Sequence, residues 1–126
     1  MQKIILLTSC FLGAFSVIIG AFGAHAFRNF LETTNRVATF ETAVKYQFYH
    51  TLMLLAVGII MYNIESKLLN YAAISLVAGI FVFSGSLYLL CFTGITKWGA
   101  ITPIGGLFLI GGWVFLFLAI LKNYQA

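Results

Sequence analysis

Charged side chains are scarce in this sequence. They make up 8% of its 126 residues, where a typical soluble domain carries roughly 25%. Apolar residues reach 62%. A water-soluble fold of this size cannot hide that much apolar surface, because small folds leave much of their area exposed. A soluble domain is therefore excluded, and hydropathy becomes the guide to the fold. Cysteine occurs only as Cys10 and Cys91, each inside an apolar stretch. Two such residues read as small buried hydrophobes, not as a disulfide framework.

Other absences narrow the function. The chain has no Cys-x-x-Cys or His-x-x-x-His pair, so no metal site is expected. No nucleophile, base and orienting group stand at a recognisable spacing, so we expect no enzyme activity and no cofactor. The glycines follow helical seams and form no phosphate loop. The net charge of +4 is spread without a basic run, which argues against nucleic acid. Glu32, Glu41 and Glu65 are the only acidic residues, and all fall at helix ends or loops. A small proton-coupled exporter needs such a group within the membrane. Two stretches imitate export signals, Leu7-Thr8-Ser9-Cys10 and Ala24-His25-Ala26. The apolar run before the first is too short and the run before the second too long, so a retained membrane helix is expected.

What is present is four apolar runs, each near the roughly 20 residues that cross a hydrocarbon core. They span about 4–27, 46–62, 68–92 and 100–121. The first carries Ser9, Gly13, Ser16, Gly20 and Gly23 in alternating steps of four and three. That heptad spacing makes one stripe on which a second helix can approach closely. The third run has a similar stripe of Ser75, Gly79, Val82 and Ser86 and a polar one of Ser84, Tyr88 and Cys91. The fourth has Gly105, Gly112 and Ala119, seven apart.

The loop at 28–45 holds five charges, Arg28, Glu32, Arg36, Glu41 and Lys45. Thr34 or Asn35 is placed to cap a new helix. Glu41 and Lys45 stand as an i, i+4 pair. We expect an interfacial or re-entrant helix over about 35–45, running into the second span. The turn 63–67 is short enough to make the second and third spans antiparallel neighbours. Trp98 suits an interface. Pro103 either occupies the first turn of the last helix, with Thr102 as cap, or kinks it. Lys122 and Tyr124 close the chain.

Four motifs in order carry a resemblance. GAFGAHA at 20–26, FETAVKYQFYH at 40–50, FSGSLY at 83–88 and AITPIGG at 100–106 with Gly112-Trp113 resemble the YgdD family. This is a family of small membrane proteins classed as a domain of unknown function and related to vertebrate transmembrane protein 256. The resemblance implies about four spans and a cytoplasmic C-terminus. It brings no reaction, substrate or cofactor.

The expected architecture is all-α, a single domain forming a bundle of four transmembrane helices. We expect a multi-pass bacterial inner-membrane protein with both termini cytoplasmic; Lys3 ahead of a long apolar run favours that orientation. The helix-packing set is Ser9, Gly13, Ser16, Gly20, Gly23, Gly79, Gly105 and Gly112. The stripes exceed what four helices need, so a homo-oligomer is expected. A polar rim gathers His25, Arg28, Glu41, Lys45, Tyr46, Gln47, His50, Ser84, Tyr88 and Thr102. Three uses compete for it. One is a structural network, with His25 bonded to Glu41 or a carbonyl and His50 to Ser84 or Tyr88. Another is binding of a lipid headgroup or another amphiphile, with Arg28, Arg36, Lys45 and Lys97 meeting a phosphate and an apolar groove between helices holding an acyl chain. The third is proton or metal chemistry on the two histidines and Glu41. The expected function is non-enzymatic binding of lipid or a partner protein. The alternative is a small transporter or proton-conducting channel.

Overall fold

The computed structural model describes residues 1–123, and Tyr124 lies outside them. Among the described residues the chain is all helical. Four helices are long and apolar enough to cross a membrane. They are α1 (Gln2–Ala24), α3 (Val37–Ile60), α4 (Lys67–Thr93) and α5 (Thr102–Asn123). The connections hold a short helix, α2 (Arg28–Thr33), and one 3-10 turn, Thr96–Ala100.

Helix ends follow local chemistry. Ser66 caps α4 by accepting from the Leu68 N–H at 3.3 Å. Gly94 ends α4 in the left-handed region (φ 69°), its N–H bonded to the Leu90 carbonyl, where glycine carries no Cβ penalty. Asn35 also has positive φ (54°). It closes α2 instead of capping the next helix, while Thr34 bonds back to the Phe30 carbonyl. The helix expected over about 35–45 and the second span form one helix. Nothing between Val37 and Tyr46 interrupts helical geometry, so those residues are the first turns of α3. The short separate helix lies upstream, at 28–33. Pro103 sits in the first turn of α5, where its missing N–H costs nothing. The Thr102 hydroxyl goes to Ser86 Oγ at 2.6 Å.

The spans pack in the order α1–α3–α4–α5. The extensive interfaces join α1 to α3, α3 to α4 and α4 to α5. The two inner helices are about twice as buried as the two outer ones. The assembly is therefore closer to a folded row than to a closed square bundle. Lipid tails are as apolar as leucine, so close packing and hydrogen bonds must hold the row together.

Each interface uses one stripe. Ser9 and Ser16 are buried; Gly13 faces Thr51, Gly20 faces Val44 and Gly23 lies under the Phe40 ring, so the α1 stripe meets α3. Ser84 donates to the Ala43 carbonyl at 2.7 Å, which joins the polar stripe of α4 to α3. On its other side, Ser75 donates to the Phe108 carbonyl at 2.6 Å. Gly79 meets Leu109, Gly112 meets Leu76, and a methyl on Gly105 would overlap the Phe83 backbone. These stripes are spent within one chain, so they leave no surplus from which to argue an oligomer. Gly85 is different, because a Cβ there meets nothing within 4 Å.

That contrast yields a test. Gly105→Ala must push α5 away from α4 and is expected to cost about 1–3 kcal/mol, as overpacking does. Gly85→Ala is expected to be neutral or to stabilise by up to about 1 kcal/mol through helix propensity. Reversible unfolding in mixed micelles measures both. Equal effects would contradict the close approach at Gly105.

Candidate functional site

Within the bundle a line of hydrogen bonds crosses three helices. The Tyr88 hydroxyl donates to Gln47 Oε1 at 2.7 Å. Gln47 Nε2 donates to Ser16 Oγ at 2.8 Å, and Ser16 donates to the Leu12 carbonyl at 2.7 Å. Side chains on a helix lean toward its N-terminus, which lets Tyr88 lie tilted beside Phe40 and still reach Gln47 about two turns farther along α3. Gln47 and Ser16 are each 2% exposed, so both groups need the partners they have. The line points one way and stops at a carbonyl. It clamps α4, α3 and α1 together.

The two histidines do different things. His50 is buried on α3. Its Nε2 lies 3.3 Å from Trp113 Nε1 and its Nδ1 2.7 Å from the Tyr46 carbonyl. Indole can only donate, so Nε2 accepts and the ring proton sits on Nδ1. Ser84 and Tyr88, the partners expected for His50, bond elsewhere on α3. Tyr46 stacks on Phe83 with ring centroids 4.6 Å apart. His25 follows the last residue of α1 with broken helical geometry (φ −123°, ψ −80°). It is exposed and lines a surface hollow with Ile18, Ala21, Phe22 and Ala26. Neither Glu41 nor His50 lines that hollow. Among the described residues no three His, Cys, Asp or Glu side chains are placed to hold a metal ion.

The remaining rim residues shape a cleft. The end of α1, the short α2 and the first turns of α3 enclose about 330 Å³. Its walls are Gly20, Gly23, Leu31, Val37, Phe40 and Val44, and its polar groups are Arg28, Glu41 and Lys45. The α2 helix is fixed over this end by Leu31, which is 1% exposed, and by Phe30 stacked on Phe92 at 6.0 Å. Arg28 Nε lies 2.6 Å from Glu32 and its Nη1 lies 3.9 Å from Glu41. The expected Glu41–Lys45 pair is not formed. Among the described residues Lys45 has no carboxylate within 4 Å. A second, almost wholly apolar groove of about 230 Å³ runs between α1 and α4, with Gln47 and Tyr88 at its base.

The rim thus divides four ways. Gln47, Ser84 and Tyr88 are tied into the core and Thr102 into the α4–α5 contact. Tyr46 and His50 face α4 and α5. Arg28, Glu41 and Lys45 share the cleft, and His25 stands apart. Sequence reasoning missed Trp113 as the partner of His50, and it missed the cleft walls Leu31, Val37, Phe40 and Val44. The i, i+4 step from Phe40 to Val44, set opposite Gly23 and Gly20, was the available signal for the walls. Trp98 was expected at an interface; its ring is packed partly under the bundle against Leu87, Leu90 and Ala43.

Comparison with known proteins adds context. Residues 19–106 match the family model described as a protein of unknown function, DUF423. A UPF0382 membrane protein of Staphylococcus haemolyticus is 41% identical, covering 96% of this chain and 98% of the relative. Another, from Staphylococcus saprophyticus, is 42% identical over 96% and 99%. The UPF0382 inner membrane protein YgdD of Escherichia coli K12 is 28% identical over 96% and 92%. No solved structure matches the chain.

The energetic weight of this hydrogen-bonded line is measurable. A double-mutant cycle on Gln47→Leu and Tyr88→Phe is expected to give a coupling of about 0.6 kcal/mol and no more than about 1.7 kcal/mol. Unfolding free energies in the same micelles provide it. Strict additivity would mean that the two side chains do not bond.

Proposed function

The chain belongs to the DUF423 family of membrane proteins, and on that premise we propose that it is a non-enzymatic multi-pass protein whose α1–α2–α3 cleft holds the phosphate headgroup of a membrane lipid. The observation that carries this reading is Lys45. It lies eight residues into α3, roughly 12 Å along the axis from Val37. It borders a cleft with apolar walls and has no carboxylate within 4 Å among the described residues. A cation inside a membrane-spanning helix is costly unless something pairs with it. A phosphate provides that pairing, and the walls beside it suit the start of an acyl chain.

In the proposed orientation both termini are cytoplasmic and the cleft opens at the opposite face of the bacterial inner membrane. Binding at this site differs from snorkelling, in which Lys45 merely reaches water along its own stem and retains nothing. The rival reading is a small transporter or proton channel. It gains no support from the hydrogen-bonded line, which runs sideways between helices and ends on the Leu12 carbonyl. Self-association and binding of a partner protein also remain proposals.

Native mass spectrometry of the purified protein tests the reading. Wild-type protein and Lys122→Ala are expected to retain phospholipid through mild delipidation. Lys45→Ala is expected to lose it. Equal retention in all three would overturn the assignment, and the same spectra report the oligomeric mass.

A further inference from the structure

The arrangement of charge in the cleft goes further and identifies the headgroup. Four charged side chains meet at this end: Arg28, Glu32, Glu41 and Lys45. Arg28 is engaged by Glu32 at 2.6 Å and more loosely by Glu41 at 3.9 Å. Arg28, Glu41 and Lys45 line the cleft; Glu32 stands outside the lining and engages Arg28 from there, so the cleft leaves Glu41 and Lys45 to a ligand. What it offers a ligand is a dipole. Lys45 has no ion-pair partner among the described residues, and Glu41 is only weakly engaged. Both line the same cavity, with Phe40 and Val44 between or beside them. The four-residue step separates them by about 6 Å along the helix axis.

The order of the two charges matters. The α3 helix runs into the membrane from Val37, so Glu41 is the outer group and Lys45 the deeper one. A zwitterionic phospholipid has the same order, with its phosphate next to the glycerol and its ammonium farther out. Resting on the headgroup reading above, we infer that the cleft selects an aminophospholipid of the phosphoethanolamine type. Its phosphate lies on Lys45 and its primary ammonium on Glu41. A primary ammonium donates charge-assisted hydrogen bonds to a carboxylate. A phosphoglycerol head has no outer cation for Glu41, and a phosphocholine head has a cation without N–H groups. Arg36 and Lys97, the other cations at this membrane end, are absent from the cleft lining.

The experiment is a competition. The purified protein is equilibrated in mixed micelles with equal amounts of phosphatidylethanolamine, phosphatidylglycerol and phosphatidylcholine, and the retained lipid is identified by native mass spectrometry. Wild type is expected to retain the ethanolamine lipid several-fold over the other two. Glu41→Gln removes the charge at an exposed position without changing the side chain's shape. It is expected to keep bound lipid and lose the preference. Lys45→Gln is expected to lose all three lipids. If wild type retains glycerol or choline lipid as well as ethanolamine lipid, or if Glu41→Gln keeps the preference, the headgroup assignment is overturned while lipid binding stands. If Lys45→Gln retains lipid as wild type does, the binding site itself is overturned. Far-UV circular dichroism of each variant establishes that the helices are intact.

Discussion

Everything in this fold depends on how closely α4 can approach its neighbours. Lipid supplies no hydrophobic force between helices, so contact must come from dispersion and a few hydrogen bonds. Helices α3 and α4 each pack on two long helices, and on α4 each face has its own chemistry. Its small-residue face takes α5 at backbone distance, where Gly105 lies against Phe83. Its polar face reaches α3 through Ser84 and Tyr88. Helix α1 then joins through α3, using the one partner α3 has left. The row is the geometric outcome of stripes that serve one neighbour each.

The seams were legible because their signal is periodic and local. Steps of three, four and seven between glycines and serines place them on one face of any helix. Helix-packing stripes on α1, α4 and α5 could therefore be read before their partners were known. The partners themselves were not legible, since spacing says which residues share a face and says nothing about what faces them. Ser84 and His50 illustrate the point. Both are buried polar groups, yet one bonds a carbonyl of α3 and the other an indole of α5.

Boundaries and ion pairs were read less well, for different reasons. The charges at 28–45 suggested an interfacial or re-entrant helix over about 35–45 running into the second span. In the fold Val37–Lys45 are the first turns of α3. The i, i+4 rule placed Glu41 beside Lys45. In the fold α2 comes back over α3 and brings Arg28 within reach of Glu41, so a tertiary contact displaces the local one. The sequence offered a signal for the α1 and α3 walls of the cleft but none for the part that closes it. The cleft exists only because α2 is short and is held by Leu31 and Phe30 over the α1–α3 contact.

The row-like order also divides the protein into parts of unequal independence. The outer helices α1 and α5 each have one extensive partner, while α3 and α4 form the inner pair. Local opening in proteins proceeds by such units. Detaching α5 would expose one side of α4 and the Trp113 contact but leave the cleft walls in place. Detaching α1 would remove Gly20 and Gly23 from the cleft and free Ser16 from Gln47. The cleft therefore exists only while α1 is docked, whereas α5 can leave without disturbing it.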